Sequence, residues 1–547
     1  MTSTHPQRLD HGAIGNGRVL ALVGPDSAVD WLCLPQWDSP SVFGSLLDQE
    51  RGGTWRIDGP NGRLRGELAY ARNTNILIGT FHDGDAAWEV VDFAPRIPQG
   101  LDVHAPYELV RLVRPLRGSP RLRVHFDPRP DYGRANVSLL PHDGGIDVIG
   151  GPHRLRLATN APVPFVLAGQ PFVLQEPVWM VLTLGERDRP PDLAGVQRQL
   201  EQTLAGWRAW VRSCALPPFR QQHVLRSALC LKLHAHLDTG AIIAATTTSL
   251  PEAMGTQRTW DYRYCWLRDA AFVVESLRRL SHLAEGEAFL RFLRDVAESG
   301  PLQPVYGLDG RRELHEQFLP HLAGYRGNGH VRIGNAAWHQ QQNDLMGELL
   351  LSLESLLSDP RLVHDEGPAV MPLIERLVRE AIAARERDEV LTRGYSQSLG
   401  FFTQALDGQN PDASNLLLPS IGLIDARDER FTNTLRAYEE RLVERGFMLR
   451  YKNADDFGET TSAFTICSFW WAEALALSGR LDDAVAVFDR MVAHCNPLGL
   501  FSEDVEPTTG ELLGNFPQAY THVGLINAAT TIGNLLAARD GEVRAWA

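Results

Sequence analysis

The chain has 547 residues, of which 53 are Lys or Arg and 67 are Asp or Glu, so its formal net charge at pH 7 is −14. This acidic balance argues against a nucleic-acid or anionic-membrane partner, because such partners attract a basic surface. Lys232 and Lys452 are the only lysines, which disfavours enzymes that work through a lysine nucleophile. No apolar stretch in the sequence reaches the ~18–20 residues that a membrane span needs.

The six cysteines are scattered along the chain and form no CxxC pair. Most of them sit in apolar runs, which is typical of reduced thiols in a protein core. We therefore expect a cytoplasmic protein without disulfides.

Short apolar-rich segments fill the chain up to about residue 190, and several of them alternate apolar and polar residues. Clear examples are residues 18–24 (RVLALVG), 87–93 (AWEVVDF) and 178–184 (VWMVLTL). A period of two is typical of half-buried strands, and Gly, Pro, Asp and Asn separate the segments as turn residues do. The pattern predicts a large antiparallel β-sandwich over residues 1–193.

Near residue 194 the spacing of apolar residues changes to that of amphipathic helices. We predict a linker helix over 194–216 and an all-α domain over 217–547. Because no polar linkers interrupt this second half, a single closed array of helical hairpins fits better than several bundles. The clearest helices are predicted at 223–237, 266–280, 286–298, 338–357, 370–390, 430–444, 462–477, 481–494 and 520–538.

The loop at 259–269 (TWDYRYCWLRD) combines four aromatic residues with Asp261, Arg263, Arg268 and Asp269. Aromatic faces beside Arg and Asp suit a sugar, because the C–H face of the ring stacks and the hydroxyls take paired hydrogen bonds. A buried ion pair that only anchors the loop would give the same composition.

Two further loops carry polar residues suited to chemistry. Residues 324–335 (GYRGNGHVRIGN) have glycines that permit tight turns, and their arginines could contact a ligand. Residues 499–507 (GLFSEDVEP) contain Glu503, Asp504 and Glu506, and a carboxylate there could deprotonate a water molecule. Carboxylates in such a loop are also commonly just exposed to solvent, or they cap a helix.

The sequence motifs of several other enzyme classes are absent. The sequence has no Walker phosphate loop, no GxSxG elbow and no zinc-binding HExxH. The glycines at 12–17 precede a strand, which makes a poor dinucleotide signature. We therefore expect no metal and no cofactor.

Taken in order, these segments resemble glycoside hydrolase family 15, which includes glucoamylases, glucodextranases and bacterial trehalases. The resemblance covers almost the whole chain and rests on residues 14–18 and 30–43 at the start and on 266–272, 324–327, 412–414, 455–458, 467–471 and 514–518 in the helical half. It implies an N-terminal β-supersandwich, a linker helix and an (α/α)6-like toroid of six helical hairpins.

The resemblance also assigns roles to residues of the predicted pocket. It implies that Arg268 and Asp269 hold the sugar at the non-reducing end, and that Trp266, Tyr325 and Arg326 line the pocket.

By the same resemblance, Glu503 is the general base of an inverting hydrolase. In such enzymes a carboxylic acid protonates the glycosidic oxygen while a carboxylate about 6.5–9.5 Å away activates water on the other face of the sugar. The implied activity is the hydrolysis of α-glucosidic bonds, which releases glucose from the non-reducing end of oligosaccharides or from trehalose. The resemblance does not decide which glucosidic linkage is cleaved, and trehalose, malto-oligosaccharides and isomalto-oligosaccharides are the alternative substrates.

The chain departs from the family at the general acid. Family members carry this glutamate in a Trp-Glu loop that belongs between the helix at 338–357 and Asp412. Here no tryptophan occurs between Trp338 and Trp470, so the acid and about one helical hairpin look deleted near 385–395. Because a missing hairpin would expose apolar flanks, we also expect association into homo-oligomers.

Three explanations of this departure compete. The chain is a deletion variant or the product of an incomplete gene sequence, or it is a non-catalytic carbohydrate-binding relative, or Glu380, Glu386 or Glu389 replaces the acid. In each case the loop near 266 and the loop near 503 must meet at the bottom of one cup formed by the helices.

Overall fold

A computed structural model describes residues 8–100, 102–185, 191–342, 344–361, 371–378, 387–539 and 541. Antiparallel sheets occupy the first part of the chain and helices the second, which confirms the predicted order of a sheet-rich domain and a helical domain. No helix within the described ranges is both long and apolar enough to cross a membrane. All six cysteines are free thiols.

In the described residues, the sheet domain consists of two large antiparallel sheets, a separate two-stranded sheet and one short helix, α1 (Val163–Leu167). Its strands are β1 (Gly12–Gly15), β2 (Leu20–Val23), β3 (Val29–Cys33), β4 (Ser41–Phe43), β5 (Thr54–Asp58), β6 (Glu67–Tyr70), β7 (Leu77–Asp83), β8 (Ala86–Phe93), β9 (Ile97–Gln99), β10 (Asp102–His104), β11 (Glu108–Arg117), β12 (Arg121–Asp127), β13 (Ser138–His142), β14 (Gly145–Ile149), β15 (Leu155–Thr159), β16 (Phe172–Val173) and β17 (Val178–Leu184).

The two sheets share one hydrophobic core. The first has the order β1-β2-β3-β5-β12-β16 with β4 paired to β3, and the second has the order β13-β14-β15-β17-β11-β8-β7-β6. Trp55 and Phe126 of the first sheet lie in the same buried cluster as Phe81 and Trp88 of the second. Strands such as β12 alternate buried and more exposed side chains, so the period of two in the sequence places one face of each strand in this core.

The helical domain begins after α2 (Leu193–Arg212), which corresponds to the predicted linker helix. Its helices are α3 (Gln221–His234), α4 (Leu267–Arg279), α5 (Ala284–Glu298), α6 (Leu345–Leu357), α7 (371–378), α8 (Arg387–Arg393), α9 (Glu429–Leu442), α10 (Thr465–Leu477), α11 (Leu481–Val492) and α12 (Ala519–Arg539). Small antiparallel sheets of two-residue strands lie in the connections between them. Their strands are β18 (Cys265–Trp266) with β19 (Val305–Tyr306), β20 (Gln317–Phe318) with β21 (Arg332–Ile333), β22 (Tyr395–Ser396) with β23 (Phe401–Phe402), β24 (Val443–Glu444) with β25 (Phe447–Met448), and β27 (Asp504–Val505) between β26 (Ala463–Phe464) and β28 (Leu512–Leu513). The last helix, α12, packs against α3, α4 and α10.

One predicted helix begins later than expected, and another is only partly described. The helix predicted at 338–357 begins only at Leu345, because a short 3-10 turn at Ala336–His339 ends in the extended backbone of Gln340 (φ −75°, ψ 153°). The helix predicted at 370–390 is described at 371–378 and again from Arg387, and residues 379–386 lie outside the described residues.

A buried ion pair joins the sheet domain to the helical domain. The fully buried Arg263 donates to both carboxylate oxygens of Asp261, at 2.8 and 2.6 Å. It also donates to the carbonyl of Ser39 and to the hydroxyl of Tyr132, both at 2.8 Å and both in the sheet domain. Asp261 in turn accepts a bond from the backbone N–H of Gly334 at 3.2 Å. The pair therefore fixes the 259–269 loop against the sheet domain and against the 324–335 loop.

Some large apolar side chains are exposed near the expected deletion. Leu351 lies on α6, and Met371 and Val378 lie on α7. The association that we expect from such a surface stays a prediction.

We predict that Arg263→Met lowers the free energy of unfolding by about 3–5 kcal/mol, because it leaves the Asp261 carboxylate buried without its cation. Urea unfolding of the full chain measures this loss. The control is Arg129→Met, which removes a solvent-exposed pair with Asp127 and should cost at most about 1 kcal/mol. Equal losses in the two variants would contradict the anchoring role of Arg263.

Candidate active site

One cavity of about 460 Å³ lies at the N-terminal ends of α4, α6 and α12. Its aromatic lining consists of Trp260, Tyr262, Trp266, Tyr451, Phe457, Phe464, Trp470 and Tyr520. Its charged lining consists of Glu252, Arg258, Arg268, Asp269, Asp344, Glu348, Arg450, Asp455, Glu503 and Asp504. The loops at 259–269 and 499–507 therefore meet at one cavity, whose size is that of an ordinary small-ligand site.

Arg268 and Asp269 reach the cavity from the first turn of α4. Trp266 precedes this helix in β18, which pairs with β19 and so sets where the helix begins. The Arg268 guanidinium lies 3.1 Å from Asp344 Oδ2 and 3.5 Å from Asp269 Oδ2, and it also donates to Gln342. Burial raises the pKa of Asp269, and the charge of Arg268 opposes this rise. An aromatic face, a guanidinium and a carboxylate thus stand side by side, which is the arrangement that a sugar ring with its hydroxyls requires.

Glu503 reaches the cavity from the loop just before β27. Its carboxylate accepts hydrogen bonds from the Tyr262 hydroxyl and from the backbone N–H of Asn515, the latter at 3.3 Å. Gly514 has φ +70°, and a Cβ at this position would lie 2.7 Å from the Cβ of Glu503. Only glycine therefore allows the 513–520 segment to pass so close to this carboxylate.

Three carboxyl groups lie close together on this side of the cavity, and we call Glu252, Glu503 and Asp504 the carboxyl cluster. Burial raises the pKa of Glu503 well above its usual range, and the neighbouring Glu252 and Asp504 raise it further. Burial also raises the pKa of Glu252 to about 7, although Arg258 opposes the rise. Like charges in a dry site disfavour simultaneous ionisation, so the three groups share their protons.

Glu252 is held by two neighbours. Its Oε1 accepts a bond from the indole N–H of Trp260 at 2.7 Å, and its Oε2 lies 3.6 Å from the Arg258 guanidinium. Arg258 also forms an ion pair with Asp455, which lines the same cavity. These contacts position Glu252 beside Glu503.

A second group of charges lines the cavity near α6. It consists of Arg268 and Asp269 on α4, together with Asp344 and Glu348 at the start of α6. Burial raises the pKa of Glu348 to about 8, and Asp344 and Asp269 add to this rise.

Tyr325 and Arg326 do not line the cavity, in contrast to the expectation from the sequence. Tyr325 is buried at 1% exposure, and Arg326 Nη1 pairs with Glu511 Oε1 at 2.6 Å. The left-handed backbone of Arg326 (φ 54°) follows Gly324 (φ +78°) and turns this segment away from the cavity lining. Trp266, Arg268, Asp269 and Glu503, in contrast, all reach the cavity.

Of the proposed replacement acids, Glu389 pairs with Arg393 one turn later in α8 and does not line the cavity. Glu380 and Glu386 lie outside the described residues.

Several cavity residues were not predicted from the sequence, namely Glu252, Arg258, Glu348, Arg450 and Tyr520. Asp455 and Phe457 belong to the 455–458 segment, and Trp470 to the 467–471 segment, which supported the family resemblance without an assigned role. For Glu348, the available signal was a carboxylate in the first turn of a helix that follows a run of amides.

The family model described as Glycosyl hydrolases family 15 matches residues 218–383 and 375–530. A second model, described as Trehalase-like, N-terminal, matches residues 3–166.

Curated relatives match nearly the full length of the chain. The trehalase of Mycolicibacterium smegmatis is 31% identical over 96% of this chain and 91% of its own length. The trehalase of Thermoplasma acidophilum is 30% identical over 95% of this chain and 100% of its own length. That alignment spans 585 positions, whereas 95% of 547 residues is about 520, so about 65 positions have no residue of this chain opposite them.

The fold is similar to that of a solved bacterial glucoamylase in complex with acarbose. The two structures superpose with a TM-score of 0.65 over 97% of this chain and 96% of that one, at 12% sequence identity.

Proposed function

Because the chain belongs to glycosyl hydrolases family 15, we propose that it hydrolyses an α-glucosidic bond with inversion of configuration, and that trehalose is its substrate. The observation that carries this proposal is that Glu503 and the Arg268–Asp269 pair face one cavity. A protein that only binds a sugar does not need a buried carboxylate cluster beside that sugar.

Arg268 and Asp269 bind the terminal glucose in this proposal. The guanidinium donates to sugar hydroxyls, the Asp269 carboxylate accepts from them, and the face of Trp266 stacks on the C–H side of the ring. Because Arg268 is already held by Asp344 and Asp269, its guanidinium needs little reorganisation when the sugar binds.

Glu503 is the general base. The Tyr262 hydroxyl and the Asn515 N–H both stabilise its carboxylate form, and they hold it in one orientation. A water molecule between this carboxylate and the anomeric carbon gives up its proton to Glu503 as the new C–O bond forms.

Trehalose is favoured by the named activity of the relatives. The curated relatives described above are trehalases, and the N-terminal match is to a trehalase-like domain. Maltose and isomaltose test the alternative linkages.

The helical domain, we further propose, is an (α/α)6-like toroid that lacks about one hairpin together with the usual general acid. The two partial matches to the family model, which overlap at 375–383, support this, as do the unmatched alignment positions. The same observations favour a second candidate function, a non-catalytic protein that binds carbohydrate in this cavity.

The test is glucose release from trehalose, maltose and isomaltose by the full chain. We predict turnover of trehalose, and a loss of about 10²–10⁴-fold in kcat for Glu503→Gln, because the amide does not accept the proton of the attacking water. The matched control is Glu506→Gln in the same loop. The Glu506 side chain bonds to Thr509 and does not line the cavity, so this variant should keep its activity.

Polarimetry or NMR of the first products reports the stereochemistry. Inversion yields one β-glucose and one α-glucose from each trehalose molecule. Saturable trehalose binding without any turnover would favour the carbohydrate-binding alternative.

We predict that Glu252→Gln shifts the acid limb of the pH profile of kcat/KM to lower pH. Removal of a neighbouring negative charge stabilises the ionised form of Glu503 and so lowers its pKa, and activity then persists into more acidic solution. The amide oxygen of Gln can still accept the bond from Trp260. An acid limb that stays where it is in the unmodified chain would show that Glu252 does not influence the base.

A further inference from the structure

The inverting reaction proposed above needs a proton donor on the other side of the sugar from Glu503. The usual donor of the family is not recognisable in this chain. A candidate donor is a second carboxyl group that faces the cavity from a different side and whose surroundings favour its protonated form.

Glu348 faces the cavity from α6. Its Oε2 atom is buried, and no hydrogen-bond partner for it exists among the described residues. Asp344, Glu348 and Ser352 are spaced four residues apart and so share one face of the helix. Ser352 donates to the carbonyl of Ala271 at 3.2 Å, which directs this face toward α4.

Glu348 and Glu503 have different charged neighbours. Those of Glu348 are Asp344 on its own helix and Arg268 and Asp269 on α4. Those of Glu503 are Glu252 and Asp504. The two carboxyl groups therefore belong to different walls of the cavity.

Other groups surround Glu348 as well. Tyr520 on α12 faces it, and the guanidinium of Arg450 lies near Tyr520. Burial raises the pKa of Glu348 to about 8, with Asp344 and Asp269 adding to the rise and Arg268 opposing it, so this carboxyl group holds its proton at neutral pH. A general acid must carry a proton before the reaction begins, so that it can protonate the leaving group.

We propose, on the basis of the proposed function, that Glu348 is the general acid of this chain and takes the place of the missing Trp-Glu glutamate. The carboxyl group of Glu348 gives its proton to the glycosidic oxygen as the C–O bond to the leaving sugar breaks. The attacking water forms the new bond to the anomeric carbon, and its proton goes to Glu503. Exchange with solvent then returns a proton to Glu348 and removes one from Glu503.

The experiment compares two substrates that differ in their need for an acid. Trehalose has a sugar hydroxyl as its leaving group and needs protonation, whereas α-D-glucopyranosyl fluoride expels fluoride without it. Both need the sugar site and the base. We expect Glu348→Gln to lower kcat for trehalose by about 10²–10⁴-fold and to leave fluoride release within about 5-fold of the unmodified chain.

The variants also differ in their pH profiles. The basic limb of the pH profile of trehalose hydrolysis reports the loss of the Glu348 proton, so this limb should disappear in Glu348→Gln. Glu503→Gln should slow both substrates. Glu354→Gln, an exposed position on the same helix, is the matched control and should change neither substrate.

Three results would overturn the assignment of Glu348. They are trehalose hydrolysis by Glu348→Gln at nearly the native rate, an equal loss on both substrates, and a native chain that releases fluoride but does not hydrolyse trehalose. A native chain that acts on neither substrate overturns the proposed function itself, and with it this proposal. Continued fluoride release by Glu348→Gln also shows that the variant is folded.

Discussion

The buried ion pair between Asp261 and Arg263 is the constraint on which the cavity depends. Two charges removed from water are tolerable only when each has its partner and when the remaining polar atoms are bonded. Here Ser39 and Tyr132 of the sheet domain bond the guanidinium, and Gly334 bonds the carboxylate. The geometry of the 259–269 loop is therefore set by a domain whose described residues do not line the cavity.

The buried ion pair also determines the positions of the residues that follow it in the chain. Two residues after Arg263 the backbone pairs in β18, and α4 begins at Leu267. The first turn of the helix then presents Arg268 and Asp269 to the cavity. A second contact across the domains, from the indole N–H of Trp31 to the carbonyl of Thr246 at 2.9 Å, holds the segment that precedes Glu252. The sheet domain thus acts as a rigid support for the site.

The acidic residues of the cavity fall into two environments. In the carboxyl cluster, three carboxyl groups compete for protons, and the charge of Arg258 opposes the rise in the pKa of Glu252 and of Asp504. Near α6, Glu348 stands beside Arg268 but also beside two other acids. An inverting glycosidase needs one ionised and one protonated carboxyl group, and such a pair is obtained when the two groups experience different surroundings. Burial raises the pKa of both Glu503 and Glu348, but Glu503 accepts hydrogen bonds from Tyr262 and Asn515 that favour its ionised form, whereas Glu348 Oε2 has no hydrogen-bond partner among the described residues.

The sequence by itself determined the order of the domains, the helical periodicity and the four residues Trp266, Arg268, Asp269 and Glu503 that reach the cavity. The order of the domains and the helical periodicity depend on local spacing, which the chain carries directly. The four cavity residues followed from the resemblance of their motifs to those of the family. Only the tertiary structure decided that Tyr325 and Arg326 turn away, that α6 begins at Leu345, and that Glu252 and Glu348 face the cavity. Their positions follow from backbone turns, from packing between helices and from burial among distant charges, and none of these is encoded in the spacing of neighbouring residues.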